Sequence, residues 1–191
     1  MKIVSVLGSP RKNGNSVYIA NKIMDMAEEK GYEKQSFYLN DLVFKGCQAC
    51  LACKHGAEEC VIKDDLKPAL EAVKNADILI MASPIYFGEV SGQLKCFIDR
   101  TYSFLKPNYL TDKDCSRLAP GKKVVFVLTQ GQPDGTLFGN VVNNLDRFFT
   151  WYGYQTSPIR GLGLSAPDAA SKDEYLNKEV ERVTKALLNS N

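Results

Sequence analysis

Short apolar runs alternate along this chain with stretches in which apolar residues recur every three or four positions. The short runs are rich in Val, Ile and Leu and are bounded by Gly, Pro, Asn or Asp, which is typical of buried parallel strands. Four such runs cover residues 3–7, 35–39, 78–82 and 124–128, and a weaker fifth covers residues 158–164. The pattern therefore predicts five strands.

The stretches of longer period predict helices, because apolar residues on one helical face recur at that spacing. The predicted helices cover residues 17–27, 66–74, 92–104, 137–152 and 175–187. Strands that alternate with helices predict an α/β fold, here a doubly wound, five-stranded parallel sheet with helices on both faces. A chain of 191 residues suffices for one core, so we expect a single domain over residues 1–191.

The turn after the first strand has the composition of an anion site. Residues 8–16 read Gly-Ser-Pro-Arg-Lys-Asn-Gly-Asn-Ser and lead directly into a helix. Backbone N–H groups and the positive end of the helix dipole then face one point, which suits a phosphate. The turn has neither the Gly-x-Gly-x-x-Gly of dinucleotide sites nor the Gly-Lys-Ser/Thr of triphosphate sites, which favours a phosphate monoester. An ordinary βα turn without a ligand is the alternative.

Two further loops follow the third and fourth strands. Residues 83–88 read Ser-Pro-Ile-Tyr-Phe-Gly, and residues 129–133 read Thr-Gln-Gly-Gln-Pro. Ligands of doubly wound sheets bind outside the carboxyl ends of the strands, so both loops and the phosphate turn are expected to line one crevice. Their rings and amides suit a flat heterocycle, although in isolation simple packing is the better explanation of Tyr86 and Phe87.

Four of the six cysteines lie within fourteen residues, at Cys47, Cys50, Cys53 and Cys60. Three cysteines at Cys-x2-Cys-x2-Cys spacing, followed by a fourth, favour one 4Fe-4S cubane. Zinc is the competing metal, but zinc sites more often use two separated Cys-x2-Cys pairs. Thiols that bind no metal are the third reading. The cysteine-rich loop, residues 41–63, follows the second strand and is therefore expected to leave the sheet at the same edge as the phosphate turn.

Three other candidate ligands have no role that the sequence assigns. His55 lies inside the cysteine-rich loop without a serine or carboxylate signature for nucleophilic catalysis. Cys96 has the surroundings of a small buried hydrophobic residue, and Cys115 lies in a polar loop.

Composition and charge exclude several classes of protein. The longest apolar runs are far shorter than a membrane span, so we expect no membrane partner. Basic residues are scattered among acids and the net charge is only +2, which argues against a nucleic-acid surface. The first strand ends in the glycine-rich turn instead of continuing into a signal peptide, so we expect a cytoplasmic protein.

The phosphate turn, residues 83–88 and the spacing between them resemble the NADPH-dependent FMN reductase family. This resemblance implies a flavodoxin-like fold with strand order 2-1-3-4-5 and FMN as the cofactor. The compact cysteine motif is similar to that of the iron-sulfur flavoproteins within this group. The implied FMN-binding residues are Ser9, Arg11, Asn13, Asn15 and Ser16 at the phosphate, and Pro84, Ile85, Tyr86, Phe87, Gly88, Thr129, Gln130 and Gly131 at the isoalloxazine.

The implied function is electron transfer between NAD(P)H or a reduced carrier, FMN with a 4Fe-4S cluster, and an acceptor. No side-chain acid or base is required, because the chemistry centres on the flavin. A cluster-free NAD(P)H:FMN or quinone reductase is the alternative. A flavodoxin-type carrier is weaker, because such carriers are strongly acidic and this chain is not. The resemblance also implies a homodimer or homotetramer, and the choice between NADH and NADPH stays open.

Overall fold

A parallel sheet forms the centre of the protein in the computed structural model, which describes residues 1–189. Its strands are β1 (Lys2–Leu7), β2 (Glu33–Tyr38), β3 (Ile78–Tyr86), β4 (Glu89–Val90), β5 (Lys123–Thr129) and β6 (Gln155–Gly161). The sheet order is β2-β1-β3-β5-β6, with all four of these pairings parallel. Strand β4 is an antiparallel extra at the end of β3. The predicted five-stranded sheet and its order are confirmed.

Helices cover both faces of the sheet, as predicted. They are α1 (Asn15–Glu29), α2 (Lys67–Asn75), α3 (Gly92–Arg100), α4 (Gly139–Trp151), α5 (Ala169–Lys172) and α6 (Glu174–Asn189). Buried residues of α2, α3 and α4 pack in one apolar core, and those of α1, α5 and α6 pack in a second. Alternate residues of β1, β3 and β5 enter the two cores, because successive side chains of a strand point to opposite faces.

The end of β3 differs from the prediction, which treated residues 83–88 as a loop. Ser83 and Pro84 continue the ladder with β5, and Ile85 and Tyr86 turn back against β4. The connection is a two-residue hairpin whose central residues, at positions 87 and 88, have φ of +49° and +79°. Positive φ at both central positions is what a tight hairpin needs, so the glycine here shortens the turn and allows the strand to extend.

The last strand begins three residues earlier than expected, at Gln155, and ends at Gly161. Its first residues are polar because β6 lies at the edge of the sheet, where burial is incomplete and an apolar run is not required. Pro158 is compatible with an edge strand, where one missing N–H leaves no ladder bond unmade. The α-helix expected to end at residue 104 ends at Arg100 instead. A separate 3-10 turn covers the remaining residues, Thr101–Phe104.

Candidate functional site

The phosphate turn is tied to two neighbouring elements through Gly8. The Gly8 N–H donates to the Ala82 carbonyl at the end of the predicted apolar run of β3 (2.8 Å), and the Ser91 hydroxyl donates to the Gly8 carbonyl (2.7 Å). A Cβ atom at Gly8 would lie 2.6 Å from Cβ of Leu94, closer than van der Waals contact permits. Glycine is therefore required here, and the turn takes its place from β3 and the first turn of α3.

The turn closes around Ser9. The Arg11 backbone N–H donates to Ser9 Oγ (3.1 Å), and the Gly14 N–H donates to the Arg11 carbonyl (3.1 Å). Within the described chain no side chain caps α1 at Gly14, and the first turn of α1 has no acidic residue. The first N–H groups of α1 and its positive dipole end are thus available to an anion.

The predicted phosphate residues divide by environment. Ser9 and Ser16 are buried in the turn, whereas Arg11 and Asn13 are exposed at its mouth. The Asn15 carboxamide faces the other way. It donates to the carbonyls of Leu164 and Ala166 at 3.2 and 2.8 Å and accepts from the Ala170 N–H at 2.9 Å. The side chain of Asn15 therefore fastens α1 to the segment after β6, a role that the sequence did not indicate.

The two predicted ring-binding segments lie side by side. Pro84 pairs with Thr129 in the sheet, and a Cβ at Gly88 would lie 3.7 Å from the ring of Phe138. Tyr86 is half exposed and the Phe87 ring at the hairpin tip is fully exposed. Phe87 has a left-handed backbone conformation and a fully exposed ring. Both features favour a surface that another molecule covers.

An arginine fixes the segment that carries Thr129, Gln130 and Gly131. Arg160 on β6 donates to Gln130 Oε1 (2.8 Å) and to the Gly135 and Leu137 carbonyls (2.6 and 2.7 Å). The Gln130 amide donates in turn to two carbonyls of its own loop. The Gln130 side chain thus shapes the loop. Its backbone N–H donates to the Gly161 carbonyl and its carbonyl accepts from the Leu164 N–H (both 2.9 Å), which leaves the exposed Gly131 for a ligand.

The cysteine-rich loop follows helix α3 from its first turn to its last. It begins at the expected sheet edge, where Lys12 of the phosphate turn pairs with Asp41 (2.6 Å). Further along, the loop backbone at Lys45 accepts a hydrogen bond from Arg100 at the end of α3 (2.8 Å). Helix α3 has nine residues and is therefore about 13.5 Å long at 1.5 Å per residue. The loop therefore leaves from the predicted edge, but its later part lies about one helix length from the phosphate turn.

Cys47, Cys50, Cys53 and Cys60 line a single concavity. Cys47 and Cys50 are exposed, and Cys53 and Cys60 are half buried. The floor of the concavity includes Arg100, whose Nε donates to Cys60 Sγ at 3.0 Å. All four predicted ligands thus lie around one concavity, and that they bind a metal stays a prediction.

Two more cations lie near the thiols, the buried Lys54 within the loop and the half-buried Arg117. Lys54 Nζ donates to the carbonyls of Tyr102 and Leu105 (2.7 and 2.6 Å) and lies 4.0 Å from the Tyr102 ring centroid. Burial lowers the pKa of Lys54, and the neighbouring Cys53 offsets part of that effect. Arg117 donates to the Cys53 carbonyl (3.1 Å). These contacts fix the backbone at the third cysteine and place positive charge near the thiols.

Arg100 is the site residue that sequence reasoning missed. Its side chain is fully buried and pairs with Asp64 (2.7 Å), a carboxylate that is itself only 11% exposed. Burial alone would raise the pKa of Asp64, but hydrogen bonds from Arg100 and from the Lys45 N–H outweigh it and hold that pKa below its usual range. The available signal was periodicity, because Leu94, Phe97 and Arg100 recur on one apolar helical face.

The chemistry of this concavity can be compared with that of a metal or cluster site. All four thiols line it, and the buried Arg100 lies beside Cys60. Four cysteine sulfurs are the donor set of an iron-sulfur cubane. In the described part of the chain, however, no three His, Cys, Asp or Glu side chains form a group that could hold a metal ion.

The remaining predicted candidates lie outside this arrangement. Cys96 approaches the loop, since a Cβ at Gly46 would lie 3.3 Å from its sulfur. Cys115 is buried and donates to the Trp151 carbonyl (3.4 Å), so it belongs to the packing near α4. His55 is exposed. Across residues 1–189 no helix is long and apolar enough to cross a bilayer.

The sheet order, the helices on both faces and the anion turn at the carboxyl edge define a class, the flavodoxin-like α/β proteins. Within that class the chain belongs to the NADPH-dependent FMN reductase family, which matches residues 1–160.

Known proteins similar to this chain include two iron-sulfur flavoproteins. That of Methanosarcina thermophila is 35% identical over 109 residues, which cover 57% of this chain and 56% of that protein. That of Methanocaldococcus jannaschii is 38% identical over 101 residues, which cover 53% and 52%. The chain thus matches about half the length of these curated relatives.

A solved structure supports the fold over the whole chain. The FMN-dependent NADH-azoreductase of Bacillus anthracis, in complex with FMN, superposes with a TM-score of 0.68 at 18% identity. The superposition covers 99% of this chain and 100% of the azoreductase.

Proposed function

We propose that this protein is an FMN-dependent oxidoreductase that transfers electrons between NAD(P)H or a reduced carrier, a 4Fe-4S cluster and an acceptor. The observation that carries the proposal is the convergence of four cysteines on one concavity beside the buried Arg100. Membership of the FMN reductase family and similarity to proteins named iron-sulfur flavoproteins support the two cofactors together.

In this proposal the FMN phosphate lies on the turn after β1. The first N–H groups of α1 and the hydroxyls of Ser9 and Ser16 hold it, and Arg11 and Asn13 close the mouth of the turn. Asn15 contributes through its backbone, because its side chain is engaged by the segment after β6. The partial charge of the helix end and the Arg11 guanidinium balance the phosphate charge.

The isoalloxazine in this proposal lies against Pro84–Gly88 and the backbone of Thr129, Gln130 and Gly131. Bound FMN supplies hydride acceptance and exchange between two-electron and one-electron partners. The protein's part is to position the ring and exclude water on the covered side. The sheet pairing of Pro84 with Thr129 and the hydrogen bond from Arg160 to Gln130 keep the two segments in place.

The cluster in this proposal is held by the thiolates of Cys47, Cys50, Cys53 and Cys60. Positive charge at Lys54 and Arg100 offsets the negative charge of four thiolates on iron and sulfide. Exposure of the first two cysteines leaves one side open to an electron partner.

A cluster-free NAD(P)H:FMN or quinone reductase is the second candidate. It is favoured by the finding that, within residues 1–189, no three His, Cys, Asp or Glu side chains form a group that could hold a metal ion. In that case the four cysteines remain thiols and the flavin site is unchanged. Zinc ranks below it because zinc sites more often use two separated Cys-x2-Cys pairs. A flavodoxin-type carrier ranks below it because the net charge of this chain is +2, whereas such carriers are strongly acidic.

The assembly is proposed to be a homodimer or homotetramer that works in the cytoplasm. The fully exposed ring of Phe87 at the hairpin tip supports a subunit contact near the flavin. All six cysteines are unpaired, which suits a reducing compartment.

Iron, acid-labile sulfide and FMN per chain test this proposal on protein purified without oxygen. About four irons and four sulfides per FMN are expected. Cys60→Ser should lose the cluster and keep FMN, whereas the matched control Cys96→Ser should keep both. Wild-type protein that binds FMN but no iron after anaerobic reconstitution would reject the cluster and leave the cluster-free reductase.

A further inference from the structure

Arg100 makes contacts that the family's sequence motifs do not explain. It lies at the last residue of α3 with no exposed side-chain surface. Its Nε donates to Cys60 Sγ (3.0 Å), and Nη1 donates to the Lys45 carbonyl (2.8 Å) and to Asp64 (2.7 Å). One guanidinium thus joins the fourth cysteine to the start of the cysteine-rich loop and to the residue that follows its end.

The geometry separates the effect of the hydrogen bond from that of the charge. Asp64 faces the guanidinium with two oxygens, at 2.7 and 3.2 Å, so much of the positive charge is balanced locally. The N–H that points at Cys60 remains directed at sulfur. Reduction adds negative charge to a cluster and its sulfurs, so a donor to a ligating sulfur stabilises the reduced state.

Lysine does not reproduce this arrangement. The planar guanidinium donates to sulfur through Nε while both Nη atoms bind oxygens on the far side. A lysine ammonium is a single point of charge and does not span these partners simultaneously.

We propose that Arg100 is a positioning residue that fixes Cys60 as the fourth cluster ligand and raises the reduction potential of the cluster through its N–H···S hydrogen bond. This inference rests on the proposed function, because it requires that the four cysteines hold the cluster.

The test compares Arg100→Lys with Arg182→Lys as a matched control. Both changes keep the charge, and each guanidinium makes two hydrogen bonds to one carboxylate. Arg182 is exposed on α6 and bonds to Glu179 of the same helix, away from the cysteine-rich loop. The readouts are iron content, the EPR spectrum of the reduced cluster and its midpoint potential, with the FMN potential of the same sample as an internal reference.

The expected result is a more negative cluster potential and an altered EPR spectrum in Arg100→Lys, with both unchanged in Arg182→Lys and the FMN potential unchanged in each. Loss of iron from Arg100→Lys alone also supports the proposal, through the positioning of Cys60. If Arg100→Lys does not fold, the pair Arg100→Gln with Asp64→Asn removes the ion pair as a unit and should shift the potential in the same direction.

Three results overturn the inference. A cluster in Arg100→Lys with wild-type potential and spectrum rejects it and leaves the proposed function intact. Equal shifts in both arginine variants, or a parallel shift of the FMN potential, reject it because the effect is then not specific to the sulfur bond. Wild-type protein without iron rejects the cluster itself, and the inference with it.

Discussion

Gly8 lies at the end of β1 against β3 and the start of α3, and its missing side chain allows the close approach of the phosphate turn. The sequence showed a turn rich in glycine and small polar residues, which was enough to predict an anion site. The contact of Gly8 with Leu94 joins residues far apart in sequence, so no local pattern indicated it. The same holds for Arg100 and Cys60, whose contact depends on how a loop folds over a helix.

Gly8→Ala is expected to lower the free energy of unfolding by about 2 kcal/mol, because the new Cβ meets a fully buried Leu94 with no space to relax. FMN affinity should fall with it as the turn is displaced. Gly92→Ala is the control, since a Cβ there has no described atom within 4 Å. Urea unfolding and FMN titration measure both, and equal stability of the two variants would contradict the tight approach.

Asp64 predicts a pH dependence of stability in the cluster-free chain. Its folded-state pKa lies below the unfolded value of about 3.9. Its charged form therefore stabilises the fold above about pH 4, and that contribution is lost as the pH falls through the folded-state pKa.

Asp64→Asn is expected to lower the free energy of unfolding at pH 7 by about 3 kcal/mol, because Arg100 loses its buried partner. The difference from wild type should shrink below pH 4. Asp25→Asn, at an exposed surface pair, should leave stability nearly unchanged. Chemical unfolding between pH 2.5 and 7 measures this, and a wild-type-to-variant difference independent of pH would contradict the assignment.

At the scale of elements, apolar periodicity predicted every parallel strand and the helices on both faces. It did so because the central strands are buried on both sides and the helices have one apolar face. It failed at the boundaries of β3 and β6, where hairpin geometry and an edge position replaced burial as the deciding factor. Helix α3 links the site's two parts, with Ser91 bonded to the phosphate turn and Arg100 to the cysteine-rich loop.

Two asparagines near the start of α1 are expected to have different roles: Asn15 a structural one and Asn13 a ligand-binding one. Asn15→Ala is expected to lower the free energy of unfolding of FMN-free protein by about 2 kcal/mol, because three hydrogen bonds to the segment after β6 are lost. Asn13→Ala should change stability by less than about 0.5 kcal/mol, since Asn13 is exposed, but should weaken FMN binding. Urea unfolding and flavin fluorescence titration distinguish them, and the reverse pattern would refute this division of roles.

At the scale of the whole molecule, the carboxyl edge of the sheet carries an aromatic ring that the single chain leaves uncovered. The Phe87 ring is fully exposed at a tip built from two residues of positive φ. Sequence alone predicted the loop but not its exposure, because exposure depends on how far the hairpin projects from the sheet. That residues 1–191 form one domain stays a prediction.

Phe87→Asp is expected to shift the proposed oligomer towards monomer, because it removes the exposed ring from the subunit contact. Stability should not fall, because Asp adopts a positive φ more readily than Phe. Tyr175→Asp, at an exposed aromatic residue on α6, should leave the oligomer unchanged. Sedimentation velocity measures both. A monomeric wild type, or a Phe87→Asp variant that associates as wild type does, would reject a contact at the hairpin.

The central claim is that one chain holds both FMN and a 4Fe-4S cluster that exchange electrons. An anaerobic reductive titration tests it directly by counting electrons, since FMN accepts two and such a cluster accepts one. The account predicts about three electrons per chain, with flavin and cluster absorbance both bleached, and about two electrons for Cys60→Ser. Two electrons per wild-type chain, with the same value in Cys60→Ser, would contradict it and identify a simple flavin reductase.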